Sequence, residues 1–306
     1  MKAQFETPIL YLIFNRPDLV MQTFPQIKAQ RPKQLFIAAD GPRKGNENDQ
    51  VKCAECREWV LSQIDWDCEV KTLFREENLG SGVAVSEAIS WFFENVKNGI
   101  ILEDDIEVNS YFFLFMSTAL EMYNNNDKVV GVSGFTYPNQ GGLTETYFLP
   151  IGCSWGWGTW STAWNNYNKD CLLLIKEIAS RNLILEFNFG KHSFYQMLVD
   201  QLEDKIDAWD ILFYASFFLN DQYFLFPAES MVKNLGFNGS GTHSSKDDSV
   251  FNTMISSKPI VPNKIPVFLN LQCVKSVEKG FENMRMSQKS GATTKFKNLI
   301  KKYFHL

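Results

Sequence analysis

The stretch Ile100-Ile101-Leu102-Glu103-Asp104-Asp105 decides how this chain is read. An apolar strand ends in three consecutive carboxylates, and a helical pattern resumes at Ser110-Tyr111-Phe112-Phe113. Adjacent acids repel one another at pH 7. Crowding them at a strand end is unfavourable unless a cation or hydrogen-bond donors offset the charge. A hard divalent ion, Mg2+ or Mn2+, that also bridges an anionic substrate is the natural partner. A solvated acidic loop is the plain alternative, and the surrounding pattern decides between the two.

Outward from that stretch, short apolar runs alternate with helical periodicity. Ile9–Phe14, Leu35–Ala39, Cys68–Phe74, Ile100–Leu102 and Val129–Ser133 read as strands. Pro17–Ala29, Asp49–Ile64, Gly82–Asn95 and Ser110–Tyr123 read as helices, with Pro25 expected to break or restart the first. Such alternation predicts an α/β fold, a mostly parallel sheet sandwiched by helices. Ligands of such sheets sit beyond the carboxyl ends of the strands. Asn15-Arg16, Asp40, Arg75 and Glu103-Asp104-Asp105 all fall at such ends.

The later half is less regular. Gly152 to Trp164 is rich in Gly and Trp, helices are expected over Leu172–Ser180, Phe194–Asp204 and Trp209–Leu219, and short strands at Tyr223–Phe226 and Met231–Val232. A loop from Asn234 to Ser245 follows, then a proline-punctuated extended stretch from Lys258 to Pro266. No repeat or linker divides the 306 residues, which read as one continuous domain with an elaborated C-terminal half. Phe296, Leu299, Ile300, Tyr303 and Phe304 recur at helical spacing among Lys295, Lys297, Lys301 and Lys302. That basic amphipathic helix suits either the surface of an anionic membrane or docking on its own domain.

Composition excludes several classes. A net charge of −5 leaves no global basic field for nucleic acid. Cys53 and Cys56 form a CxxC, but no second pair completes a zinc set, so the six cysteines read as free thiols of a reducing compartment. The run Thr7–Phe14 is too short for a membrane span and no small-residue cleavage site follows it, which points to a cytoplasmic protein.

Phe14-Asn15-Arg16-Pro17, Asp40, Asn78-Leu79-Gly80 and Glu103-Asp104-Asp105 with Tyr111-Phe112-Phe113 stand in an order that resembles GT-A fold, Rossmann-like nucleotide-sugar glycosyltransferases. The likeness is greatest to the animal β-1,2-N-acetylglucosaminyltransferase family. Trp155-Gly156-Trp157-Gly158-Thr159-Trp160 and the segment Asn234 to His243 resemble a bacterial group of sugar transferases. The resemblance spans roughly residues 7 to 245. It implies that residues 1–135 bind the nucleotide sugar, that 136–270 hold the acceptor and the catalytic base, and that 271–306 form a tail.

The resemblance also implies roles. Asp105 would bind the Mn2+ or Mg2+, Asp104 would hold the ribose, and Glu103 would sit near the donor sugar. Asn15, Arg16 and Asp40 would face the nucleotide, Asp40 accepting from the base edge. Asn78 and Gly80 belong to the loop Arg75 to Gly82, whose glycines admit a close backbone approach ahead of helix amides that favour anions. Asp210, opening a helix, matches the position of the catalytic base, with Asp207 and Glu229 in reserve. The alternative for Asp207 or Asp210 is a helix cap, for Asp40 a turn before Gly-Pro, and for His243 a surface loop rather than a phosphate or metal contact. Trp155, Trp157 and Trp160 suit an acceptor site, with core packing expected for at least two of them. The implied activity is inverting transfer of a hexosyl or N-acetylhexosaminyl group from a nucleotide diphosphate sugar, a UDP-sugar first, to a glycan or lipid-linked glycan in surface polysaccharide synthesis. A Mg2+-dependent nucleotidyltransferase or phosphohydrolase and a non-enzymatic sugar-binding protein are the rival classes.

Overall fold

A computed structural model describes residues 4–190, 192–236 and 254–283. The first half runs β1 (Ile9–Ile13), α1 (Pro17–Gln30), β2 (Gln34–Ala39), α2 (Glu47–Ser62), β3 (Glu69–Phe74), α3 (Ser81–Asn95), β4 (Asn98–Glu103), β5 (Ile106–Val108), α4 (Phe112–Met122) and β6 (Val129–Ser133). The second half adds β7 (Thr146–Leu149), β8 (Trp157–Trp160), α5 (Ser161–Trp164), α6 (Cys171–Ser180), α7 (Ile184–Phe187), α8 (Phe194–Leu202), α9 (Trp209–Leu219), β9 (Tyr223–Pro227) and β10 (Val232–Asn234). Residues 271–283 form a further helix.

Eight strands make one sheet in the order β3-β2-β1-β4-β8-β6-β9-β7, in which β8 and β7 run against the rest. This is the expected α/β class with a mostly parallel sheet between helices. Every residue of β1 is buried, because the strand is paired on both edges and covered on both faces. The chain reverses its direction of travel across the sheet between β1 and β4. β2 and β3 extend to one side, and later strands to the other. The loops leaving β1 and β4 therefore diverge and open a crevice, the position where such sheets hold ligands.

One expectation needs correction, and two features of the later half were not foreseen. α1 continues through Pro25 instead of breaking, because packing of Leu19, Val20, Phe24 and Ile27 holds both sides of the proline. The Gly/Trp-rich stretch contains β8, which lies in the middle of the sheet; a Cβ on Gly158 would approach the Gly99 carbonyl oxygen to 3.1 Å, so glycine lets β4 and β8 pair closely. The segment after residue 270 begins with a docked helix whose Cys273, Val277 and Phe281 are buried. The amphipathic run from Phe296 lies outside the described residues. Among the described residues no helix is long and apolar enough to cross a membrane.

The second half is packed through aromatic rings. Trp157 stacks on Trp209 with ring centroids 5.7 Å apart, and Trp164, Phe213 and Phe224 surround the pair. This cluster fixes α9, and with it Asp210, against the central sheet.

Candidate functional site

Arg16 is the last residue before α1, where Pro17 starts the helix with no side-chain cap. Its guanidinium leaves the β1 end and spans the acidic stretch at the β4 end. Nη2 bonds Asp104 Oδ1, and Nη1 lies 2.9 Å from Asp105 Oδ2. The Phe14 amide donates to Asp104 Oδ2 at 3.3 Å, and Thr23 Oγ1 donates to the Asp104 carbonyl at 3.0 Å. Asp104 is thus locked by α1 and the β1 end. Asp105 is held differently. The Leu235 amide donates to its carbonyl at 2.8 Å, while its Oδ1 is buried without a hydrogen-bond partner among the described residues.

Asp104 and Asp105 share one guanidinium here, and Glu103 precedes them at the end of β4. Burial, aided by the charges of Asp105, Asp104 and Asp210 and opposed by Arg16, pushes the Glu103 carboxyl well above the ordinary carboxylate range. Burial also holds Asp104 above the ordinary carboxylate range, although Arg16 works against it.

Asp40, at the β2 end, is engaged by the chain itself. Its carboxylate accepts from the amides of Gly41, Leu79 and Gly80 and from Asn78 Nδ2 at 2.8 to 3.2 Å. Asp40 therefore ties the β2 end to the Asn78–Gly80 loop, and the base edge expected for it has competitors for each oxygen. The N-terminus of α3 likewise has an anion of its own. A Cβ on Gly80, whose φ is +81°, would fall 2.6 Å from Asp207 Oδ2, and Gly82 abuts the same carboxylate. Those glycines leave room for the Asp207 carboxylate beside the first turn of α3.

Asn15 donates to Asp49 Oδ1 at 2.7 Å, and Arg43 reaches the same carboxylate through Nε and Nη2 at 2.5 and 2.9 Å. These bonds, those from Arg43 foremost, hold Asp49 down at about 2. Arg43 also lies over the Phe14 ring at 5.7 Å. Sequence reasoning missed Arg43 and Asp49. Arg43 stands directly behind Asp40-Gly41-Pro42 at a strand end, which was a usable signal, whereas Asp49 looked like any acid in the first turn of a helix.

Asn15, Arg16, Asp40, Asn78, Gly80, Glu103, Asp104, Asp105 and Asp210 all line one cleft of about 650 Å3. Arg43, Trp155, Asp207, Asn234 and Gly236 are among the other residues of its wall. Gly236 is required there, because a Cβ would stand 2.6 Å from Asp105 Oδ2. Asp210 sits in the first turn of α9, its Oδ1 accepting from the Ile211 amide at 2.9 Å. Glu229 accepts from Ser256 Oγ at 2.6 Å and lies outside the cleft wall. Trp160 is core, its Nε1 donating to the Leu120 carbonyl at 3.2 Å. His243 lies outside the described residues.

No protein-family model matches the chain, and no curated protein matches it. Solved structures give distant likenesses. The mannosyltransferase PcManGT from Pyrobaculum calidifontis, in complex with GDP-Man and Mn2+, is 10% identical over 71% of this chain and 74% of its own, at a TM-score of 0.36. Mouse xyloside xylosyltransferase 1 in its apo form is 10% identical over 66% and 83%, at 0.34. The inositol-1-phosphate CTP transferase from T. maritima is 9% identical over 53% and 73%, at 0.29. The functional reading rests on the geometry of the cleft and not on these likenesses.

Proposed function

We propose that this protein is a metal-dependent glycosyltransferase that moves a sugar from a nucleotide diphosphate sugar to an acceptor hydroxyl. The observation that carries the proposal is Asp105 Oδ1, a buried carboxylate oxygen without a hydrogen-bond partner among the described residues, in a cleft at the carboxyl ends of β1, β2 and β4. Leaving such an oxygen unsatisfied costs about 1–3 kcal/mol, more when it is charged. A divalent cation removes that cost. Among the described residues no group of three or more Asp, Glu, His or Cys side chains could hold a metal ion. Mg2+ commonly takes one or two carboxylates and fills the remaining positions with substrate phosphates and water, and Mn2+ suits the same oxygen ligands. Asp105 is the residue that would hold the ion, and the ion would supply charge to the departing diphosphate.

The chain's own groups do the rest. Arg16 keeps Asp104 and Asp105 from repelling the donor phosphates outright. Asp210 stands across the cleft as the base that accepts the acceptor's hydroxyl proton. The acceptor oxygen bonds to the anomeric carbon as the carbon–oxygen bond to the diphosphate breaks, with inversion when attack comes from the opposite face. The donor to test first is a UDP-sugar, hexosyl or N-acetylhexosaminyl. Glycans and lipid-linked glycans of a surface polysaccharide are the acceptors that the motif order suggests.

The test is thermal denaturation with UDP, GDP, CDP and dTDP, with and without Mn2+, on the native chain and on Asp105→Ala. A ligand that binds only the folded state must raise its stability. One diphosphate is expected to shift the midpoint only with Mn2+, and the variant is expected to lose that shift. No shift with any diphosphate, or a shift that survives in Asp105→Ala, overturns the proposal.

A further inference from the structure

Beside the cleft lies a second cavity of about 240 Å3, walled by Phe135, Trp157, Phe213, Tyr214, Phe224 and Phe281 among others. It meets the cleft along Ser154, Trp155, Trp209 and Asp210, which line both. Its two tyrosine hydroxyls are spent on the chain. Tyr137 donates to the Gly152 carbonyl and Tyr214 to the Phe187 carbonyl, each at 2.6 Å. Asp210 is the one carboxylate among the described lining residues. The wall also carries His192, and it holds the buried donor Trp157 Nε1, which has no acceptor among the described residues.

Resting on the glycosyltransferase reading, but with a phenol in place of the glycan acceptor that the motif order suggests, we infer that this cavity seats an aryl group of the acceptor, whose phenolic hydroxyl faces Asp210. Three observations converge. An apolar cavity of roughly 150 Å3 is enough for benzene, so the larger volume here takes a substituted or fused ring. Aromatic walls on several sides give a ring edge-to-face and offset contacts beyond simple area burial. A sugar ring would bring several hydroxyls against a wall made mostly of aromatic and aliphatic carbon, and each unpaired hydroxyl opposes binding. The chemistry agrees with the geometry. A phenol ionises near 10, far more readily than an aliphatic alcohol, so a carboxylate base suffices. The phenolic proton passes to Asp210, the phenolic oxygen bonds to the anomeric carbon, and the nucleotide diphosphate leaves with the electron pair of the broken bond.

The experiment is calorimetric titration of the full chain with 2-naphthol, in the native protein, in Met197→Trp and in Met197→Leu. Met197 is a half-buried cavity residue of α8 and stands outside the donor cleft. The native protein and Met197→Leu are expected to bind one naphthol per chain, and Met197→Trp to weaken binding by roughly tenfold or more. The Mn2+-dependent diphosphate shift is expected to be the same in all three. Absence of naphthol binding to the native chain, equal binding in Met197→Trp, or displacement of naphthol by lactose overturns the inference. Naphthol binding without any diphosphate shift sinks the transferase reading while leaving the cavity as an aryl site, so the two failures are distinguishable.

Discussion

Arg16 Nη1 lies 2.9 Å from Asp105 Oδ2, and the other oxygen of the same carboxylate is buried with no partner among the described residues. One guanidinium thus satisfies half of Asp105 and leaves the other half for a ligand. Arg16→Ala removes the only basic group bonded to Asp104 and Asp105 among the described residues. Breaking a buried pair of this kind costs about 3–5 kcal/mol. The expected result is a lower unfolding midpoint, partly restored by Mn2+. Arg16→Lys, whose point charge cannot span both acids as the planar fork does, is expected to fall between. Unfolding midpoints with and without Mn2+ check this, and a native-like midpoint in Arg16→Ala contradicts it.

Gly236→Ala tests the other side of the same carboxylate. Its Cβ would stand 2.6 Å from Asp105 Oδ2 and 3.0 Å from Asn234 Oδ1. The carboxylate must shift, so diphosphate binding with Mn2+ is expected to weaken about tenfold or more, while stability falls by only about 1–2 kcal/mol. Calorimetry and denaturant unfolding separate the two effects.

Asp210→Asn removes the proposed base and keeps its volume. Transfer is expected to fall by about 10²–10⁴-fold, with the Mn2+-dependent diphosphate shift retained. A variant that transfers sugar at the native rate would make Asp210 only a helix-terminal acid.

Asp207 and α3 make a separate prediction about stability. Asp207→Ala withdraws the carboxylate from beside the α3 N-terminus and is expected to cost about 0.3–1 kcal/mol, the size of a charge–dipole interaction. Gly82→Ala places a methyl where that carboxylate stands and is expected to cost more, since the carboxylate and its loop are displaced. Equal unfolding midpoints for Gly82→Ala and the native chain would be inconsistent with this packing.

Asp49 carries the pH dependence. Its carboxyl is depressed from 3.8 to about 2, chiefly by the hydrogen bonds from Arg43. A depressed acid stabilises the fold above its unfolded value, and that stabilisation disappears as pH falls through about 2. With Arg43 more than half exposed and solvent-screened, the contribution is about 1–2 kcal/mol. Asp49→Asn is therefore expected to be less stable than the native chain by that amount at pH 5–7. The difference should vanish near pH 2, as read by denaturant unfolding across the range.

Much of the first half was legible in the amino-acid order. Continuous apolar runs such as Ile9–Ile13 announce strands buried on both faces, and the turn from Leu102 to Glu103 marks where such a strand meets the cleft. The second half hid its strands. Trp157-Gly158-Thr159-Trp160 is four residues long and contains glycine, so neither period nor length separates it from a loop. Pro25 misled for the opposite reason: a local rule against mid-helix proline was outweighed by burial on both sides of it.

The sequence alone determined the α/β class, the order of the polar strand ends and several of the residues that line the cleft, because hydrophobic periodicity and strand-end chemistry are local properties of the chain. The division of labour among those residues was decided only by the tertiary structure. Asp40 and Asp104 are both acids after apolar strands, yet one ties down the Asn78–Gly80 loop and the other pairs with Arg16. Asp207 and Asp210 are three residues apart, yet one abuts α3 and the other stands where cleft and aromatic cavity meet. Which donor a carboxylate meets depends on contacts between segments far apart in the chain, and no local pattern encodes them.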